Sequence, residues 1–504
     1  MEEKTLAEAS LVLDKNRQDD AQSLNYAPVY FSVPRNCRCL TLRVRQTSGA
    51  HAQIPLFVFD SRRMVRMMRT EDGTEGITER ILKIGAEEAS RGAIPGPLAP
   101  GPWVLLMYKR RMLGEVALKI RISAEGFPPG QAPDGGDDRA LRMLSSPPAF
   151  SKICLEKGRR WYRGELHVHS TESTGKGDIP TIQETARNLG LDFIALTDHF
   201  SASHWTRIAA LPNLSSKPLF LQSMEIAGDY GHANVHAVSS WPLPLVDDAE
   251  ALCRYLNLET PPTMERIADQ VHAQGGLFCI NHALSGIFGW RYRDFPMDKA
   301  DLFEILCTPD HTTSFLYPTL WDTLLCQGSH ITGVGSSDSH HPSAEGPWKL
   351  GVISTWVYAE ELSQKALIAG LKQGRVYVSS GSSRLEFTAL TPGGQKAMMG
   401  DTLFAEKGTL VGFDITLARH PSGNLIIISD GFIYDVVFFE ANPNGEDRCH
   451  FDFPCTFPPG KNYTYLRIEF HADLEKSRFY GMLFRNHQSA RLLSNPIWIE
   501  APHG

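Results

Sequence analysis

Between about residues 160 and 380, short apolar runs alternate with stretches of helical periodicity. This feature most narrows what the chain can fold into. Seven candidate strands follow one another: GELHVH, DFIALTDH, LFLQSMEI, ANVHAVS, GLFCINH, LFEIL and HITGVGSS. Helix-like segments such as IPTIQETARNLG, MERIADQVHAQGG and SFLYPTLWDTLLCQG lie between several of them and end in Gly, a common helix stop. Seven βα repeats predict a mainly parallel sheet that closes, or nearly closes, into a distorted barrel. Folds of that kind carry their chemistry at the C-terminal ends of the strands.

The flanks read differently. Leu40, Leu42 and Val44 alternate with polar residues, as do Val116, Leu118, Ile120 and Ile122, around a short apolar run from Leu56 to Phe59. Period two means one face buried and one wet, which predicts an N-terminal antiparallel β-sandwich ending near Ile122. The polar segment AEGFPPGQAPDGGDDR then reads as a linker. Past residue 385, Leu425 to Ile428, Val436 to Phe439, and Leu466, Ile468 and Phe470 read as strands separated by the turns PSGN, NPNG and PPGK, a second all-β sandwich. The expected organisation is α/β: an N-terminal β-sandwich over 1–125, a linker over 126–158, the barrel over 159–384 and a C-terminal β-sandwich over 385–504.

Composition limits the function classes. With 42% hydrophobic and 21% charged residues in 504, the chain is globular rather than disordered. A net charge of −7 argues against binding nucleic acid by general phosphate attraction. No apolar run of about 18 residues suggests a membrane span. The start MEEKTLAEAS lacks the basic and apolar regions of a leader, and the nine cysteines are scattered, so the expectation is a cytoplasmic protein with reduced thiols.

Twelve of the 18 histidines fall between 167 and 341, and their positions matter more than their number. His167 and His169 end the first strand on one face. Asp198 and His199 end the second, and Glu225 the third. His232 and His236 bracket the fourth on a shared face, His282 ends the fifth, and Asp338 and His340 follow the seventh. In a barrel these ends converge on one mouth, rich in imidazole and carboxylate and poor in Lys and Arg. Such a mouth calls for divalent cations, and mixed His/Asp/Glu donors suit zinc, manganese or iron. His204, His272, His311 and His330 fall in helix or loop patterns and read as structural. Trp321 and Leu325, at helical spacing, read as core, and Cys279 as a buried strand thiol.

The set HVHST (167–171), TDH (197–199), Glu225, NHA (281–283) and GSSDSH (335–340) resembles the PHP (polymerase and histidinol phosphatase) superfamily of metal-dependent phosphoesterases. The match runs over roughly 160–380. GH (231–232), GRVYVSSG (374–381) and the closing SNPIWIE (494–500) look like its CehA/McbA-like branch, named for hydrolysis of a carbamate insecticide. The resemblance implies a distorted (βα)7 barrel holding two or three metals. His167, His169, Glu225 and Asp338 would bind the first metal. Glu225 would bridge to a second held by His282 and His232, with His236 behind it as the alternative. His199 and His340 would serve a third, with Asp198 as an outer ligand or general base. Many relatives place an Asp where this chain has Thr174; Asp178, four residues on, is a candidate substitute at the wrong spacing, which puts the third site in question.

The expected activity is hydrolysis by a metal-bridging hydroxide, with Asp198 or His199 as proton shuttle. No GxSxG or P-loop motif points to a Ser nucleophile or to nucleotide hydrolysis. A small-molecule phosphoester ranks first as substrate. Lys176, Arg291, Lys349 and Arg375 are the candidate phosphate-facing cations. A carbamate, ester or amide is the alternative, with Phe288, Trp290, Trp348 and Trp205 as an apolar wall. A third reading makes the barrel a non-catalytic binding scaffold. The terminal sandwiches read as shields or as surfaces for a homo-oligomer, and the loops 286–298 and 341–349 as lids.

Overall fold

Alternation in the N-terminal strands translates directly into layers. One four-stranded sheet runs in the order Lys4–Leu13, Val116–Gly126, Cys37–Gly49, Glu79–Gly85, and a second in the order Tyr26–Val33, Gly101–Tyr108, Leu56–Phe59, Val65–Arg69. The register sets Val44 opposite Ile120 and Leu42 opposite Ile122, so their buried side chains share the core between the sheets. The run LFVF (56–59) is apolar throughout because both of its faces are covered. Leu56 and Val58 point into the sandwich, whereas Phe57 and Phe59 pack on the central part of the chain. There the Phe57 ring lies 5.5 Å from Phe200 and the Phe59 ring 5.7 Å from Trp241.

This computed structural model describes residues 3–14, 26–49, 52–69, 79–85, 88–112, 114–126, 149–241, 261–307, 316–343, 349–381, 383–472 and 490–502. Most of the expected linker, His311 and Trp348 lie outside them, as does much of the loop 341–349. Among the described residues, no helix is long and apolar enough to cross a membrane.

The central region is mixed α/β. Its strands are β1 (Cys154–Val168), β2 (Phe193–Leu196), β3 (Leu219–Leu221), β4 (Ser223–Gly228), β5 (Gly231–His236), β6 (Leu277–Ile280), β7 (Leu302–Cys307), β8 (Thr332–Ser336), β9 (Ser354–Ser363) and β10 (Val376–Ser379). Helices α1 (Ile179–Asn188), α2 (Ser203–Ala209), α3 (Pro261–Ala273), α4 (Tyr317–Cys326) and α5 (Gln364–Lys372) lie between them. β1 begins at Cys154, inside the stretch read as linker.

The mainly parallel arrangement of seven βα repeats is met only in part. LFLQSMEI is two strands, not one. The chain breaks at Gln222, so β3 pairs in parallel with β2 while β4 starts a different sheet. β4 and β5 form an antiparallel hairpin across Asp229–Tyr230, and β5 is antiparallel to β6 as well. Gly228 and Gly231 flank that turn; Gly231 has φ +141°, and a Cβ there would meet Trp290 at 2.9 Å. The strands fall into two sheets, β3-β2-β1-β9-β10 with its extension and β4-β5-β6-β7-β8. Single bridges, His199 to Glu225 and Val168 to Ser339, join their edges. Buried residues of both sheets, among them Leu166, Ala195, Leu221, Cys279 and Val334, share one core.

The boundary expected at 384/385 is no break in the sheet either. β10 pairs with Ala490–Ser494, and the ladder continues through Tyr463–Ala472 and Gly423–Ser429 to Phe432–Phe439, giving eleven strands in all. A four-stranded sheet built on Arg384–Leu390 and Leu410–His420 covers one face of this extension.

Candidate metal centre

β1 delivers His167 and His169 to one face because residues two apart in a strand point the same way. Glycine lets the loop after them fold back tightly: a Cβ on Gly175 would sit 2.1 Å from the His169 carbonyl oxygen. His199 follows β2, where the backbone N–H of Phe200 donates to the Glu225 carbonyl at 2.7 Å and ties β2 to β4. β4 carries Glu225, β5 His232, the end of β6 His282, and the segment after β8 Asp338 and His340. His282 and Asp338 adopt positive φ, +23° and +48°, a costly backbone for non-glycine residues that recurs where function fixes geometry.

All eight residues expected to bind metal come together. They form four overlapping groups whose donor atoms lie within 4.8 Å of one another: His167–His169–Asp338, His167–Glu225–His282, His199–Glu225–His232 and His169–His199–His340. Glu225 stands at the middle, fully buried, and its two oxygens face different histidines. Oε2 lies 3.4 Å from His167 Nε2, 3.4 Å from His169 Nε2 and 2.8 Å from His199 Nε2. Oε1 lies 3.0 Å from His232 Nδ1 and 3.6 Å from His282 Nε2. Asp338 Oδ1 approaches His169 Nε2 at 2.9 Å and His167 Nε2 at 3.2 Å.

His232 rather than His236 joins the cluster. The two share a face but stand four residues apart, about 13 Å along a strand. His236 instead meets Ser223 Oγ through Nδ1 at 2.9 Å, and burial pushes its pKa down to about 3.

The electrostatics are those of a site built around positive charge. Burial alone would raise Glu225, but His167, His199 and His232 hold it well below the usual carboxylate range. Asp338 is lowered against burial by His167, His169 and His340. Burial depresses His167, yet Asp338, Glu225 and Glu304 outweigh it and lift its pKa well above the ordinary imidazole value. Burial, with His340 and His199 beside it, drives His169 down to about 3. His167 Nε2 and Glu225 Oε2 are buried without a hydrogen-bond partner and face each other. A buried polar atom left so is costly, and a cation between such atoms removes the cost. The donor set, imidazole nitrogen with carboxylate oxygen, fits divalent transition metals.

Asp198, expected as an outer ligand or general base, lies outside these groups. Its Oδ1 accepts from the Ser170 backbone N–H at 2.8 Å and from Ser173 Oγ at 2.6 Å, and its Oδ2 accepts from Ser170 Oγ at 2.6 Å. It shapes the loop after His169. Asp178 does not replace the missing Asp at Thr174; it caps α1, accepting from Thr181 N–H at 2.9 Å. Among the candidate cations, Arg375 precedes β10 at the end opposite the cluster and pairs with Asp401. Arg291 lies over the Tyr230 ring. The backbone N–H of Lys176 donates to the His340 carbonyl at 2.8 Å. Phe288 packs against His232, ring centroids 5.5 Å apart, but Trp205 is buried in the core with its indole N–H on the Ser223 carbonyl. Trp290 packs among Phe278, Tyr292 and Phe295. His204 bonds Ser223 O, His272 pairs with Asp301, and His330 stacks on Trp498, all structural roles.

Sequence reasoning missed Glu304. Its Oε1 pairs with His167 Nδ1 at 2.9 Å and its Oε2 accepts the His282 N–H at 2.7 Å, so one carboxylate aims two candidate ligands. The available signal was its setting, a lone charge inside the buried strand LFEILC that could not lie there unpartnered. Asn281, inside the NHA motif, donates from Nδ2 to Glu225 Oε1 at 3.0 Å.

One solved neighbour is PHP-like. It is a two-domain protein from Bacteroides vulgatus containing a predicted PHP-like metal-dependent phosphoesterase. It is 14% identical with a TM-score of 0.35, and the overlap covers 69% of this chain and 98% of that one. An exo-β-agarase (13% identical, TM-score 0.17) overlaps 37% of this chain and 29% of its own. A family two carbohydrate esterase from Clostridium thermocellum (14%, TM-score 0.14) overlaps 37% and 49%. No protein-family profile and no curated protein matches the chain. With overlaps this loose, the functional reading rests on the side-chain geometry.

Proposed function

We propose that this chain is a divalent-metal-dependent hydrolase, and that its substrate is a small-molecule phosphoester. The observation that carries the reading is the division of Glu225, with Oε2 toward His167, His169 and His199 and Oε1 toward His232 and His282. A buried carboxylate placed so is suited to bridge two cations. His167, His169 and Asp338 would complete one site, and His232 and His282 the other. The group His169–His199–His340 would form a third, completed without a carboxylate at position 174. When bound, paired divalent cations supply an activated water at neutral pH and stabilise charge on the oxygens of the scissile group.

The chain's own residues do the rest. Glu304 holds the tautomer of His167 by accepting at Oε1 from Nδ1–H, leaving Nε2 as the donor to metal. Asp198 fixes the loop that follows His169. The Phe288 ring packs edge-on against His232. That same ring supports the second reading, a carbamate or ester hydrolase, because it offers an apolar surface beside the cluster.

Assays of the manganese- or zinc-loaded protein on p-nitrophenyl phosphate, bis-p-nitrophenyl phosphate and a naphthyl carbamate discriminate the readings. Phosphoester turnover without naphthol release is the expected result. Naphthol release alone overturns the phosphoester assignment, and no turnover of any substrate by metal-loaded protein favours the scaffold reading.

A further inference from the structure

Beside the metal cluster lies a cleft whose third wall comes from a different part of the chain. It has a volume of about 280 Å³ and is lined by Lys176, Thr171 and Thr181 from the loop after β1 and the start of α1, by His341, and by Arg91 from the N-terminal sandwich. Two contacts fix its position next to the centre. The Lys176 N–H donates to the carbonyl of His340, and the Thr171 N–H to that of Gly177. Gly177 lets the two loops close together, since a Cβ there would lie 2.4 Å from Pro342.

Arg91 is presented, not merely nearby. The next residue, Gly92, donates its N–H to buried Glu172 Oε2 at 2.9 Å, and the same oxygen accepts from Ser203 Oγ at 2.8 Å. Gly92 accepts at its carbonyl from Met68 N–H and has φ +77°, and a Cβ there would lie 2.5 Å from Met68 O. The sandwich is therefore locked onto the loop that follows His169, with the arginine at the cleft. Hydrogen bonds from Thr181 lower the pKa of Asp178 and Arg91 lies near enough to help, but neither Arg91 nor Lys176 closes to a salt bridge among the described residues. The one carboxylate in the lining, Asp178, is turned to the N–H of Thr181 as a helix cap. In a chain of net charge −7, two cations without a salt bridge among the described residues, set in a cleft beside the candidate metal centre, are an anion subsite in the making.

The geometry points to a substrate with two anionic groups: the N-terminal sandwich completes the active site by supplying Arg91, which with Lys176 binds a second phosphate or carboxylate remote from the bond that is cleaved. This deepens the phosphoesterase reading and rests on it for the reaction, while the anion site itself can be tested without turnover. Inorganic phosphate is titrated calorimetrically into the full-length protein after EDTA treatment, for the wild type, Arg91→Gln and Lys176→Gln. In parallel, kcat/KM is compared between linear diol bisphosphates and the matching alkyl monophosphates on metal-loaded protein. The expected results are phosphate binding weakened at least tenfold in each variant, and a bisphosphate-to-monophosphate ratio of kcat/KM that falls about tenfold or more. Phosphate binding absent from the wild type, or equal in all three proteins, overturns the proposal. So does a ratio left unchanged by Arg91→Gln. Phosphate binding lost in the variants of a protein that turns over no phosphoester upholds the anion site and refutes the phosphoesterase reading instead.

Discussion

Glu304→Gln isolates the carboxylate behind the candidate ligands. In the native arrangement each oxygen accepts one hydrogen bond, from His167 Nδ1 at 2.9 Å and from the His282 N–H at 2.7 Å. Glutamine has nearly the same shape but one acceptor oxygen, so its amide NH₂ must face one of the two donors. A hydrogen bond to a charged acceptor contributes about 1.5–3 kcal/mol. Each 1.4 kcal/mol is about tenfold in an equilibrium constant. The substitution should therefore weaken metal binding roughly 10- to 100-fold, the range typical of residues that orient metal-bound histidines. Competition for zinc against a chromophoric chelator measures the change, and circular dichroism checks that the fold is kept. A folded Glu304→Gln protein whose zinc affinity stays within about threefold of the wild type would refute the argument.

His232→Asn should lower bound metal per chain, whereas His236→Asn, which can keep the bond to Ser223, should leave it unchanged; elemental analysis reads both. His236 also sets a pH dependence. Its folded pKa, near 3, lies below the unfolded value of about 6.5, so the unfolded chain takes up the proton first and stability falls as pH drops from about 6.5 toward 3. Relative to the wild type, His236→Asn should flatten that decline by on the order of 3 kcal/mol between pH 7 and 4, and parallel urea titrations with equal slopes would contradict it. Asp322 on α4 accepts from Arg467 at 2.6 and 2.7 Å and from the Tyr465 hydroxyl at 2.9 Å, all buried. Asp322→Ala should destabilise the protein by about 3–5 kcal/mol in urea unfolding, and a loss under about 1 kcal/mol would show that Glu469 alone satisfies the arginine.

The parts of the centre that could be read from the sequence are those that local periodicity governs. His167 and His169 share a face because a strand repeats every two residues. Parallel β1 and β2, and parallel β6, β7 and β8, bring distant strand ends to one mouth. What could not be read depends on pairing between segments. The Gly228–Gly231 hairpin turns β5 antiparallel, and the break at Gln222 sends β3 and β4 to different sheets; neither changes the apolar pattern of LFLQSMEI. The capping role of Asp178 and the loop-holding role of Asp198 depend on backbone N–H groups whose positions composition does not reveal. Arg91 lies about 75 residues before the first candidate ligand and reaches the site because one sandwich face docks on the central core through residues such as Phe57 and Phe59, and Gly92 bonds Glu172.

Glu225 is proposed to join two cation sites inside one histidine cluster. Crystals grown with zinc or manganese and measured at the metal's absorption edge test it directly. Anomalous peaks are expected on both sides of the Glu225 carboxylate, one within reach of His167, His169 and Asp338 and the other within reach of His232 and His282. A map from metal-loaded, folded protein with no peak beside Glu225 would contradict it.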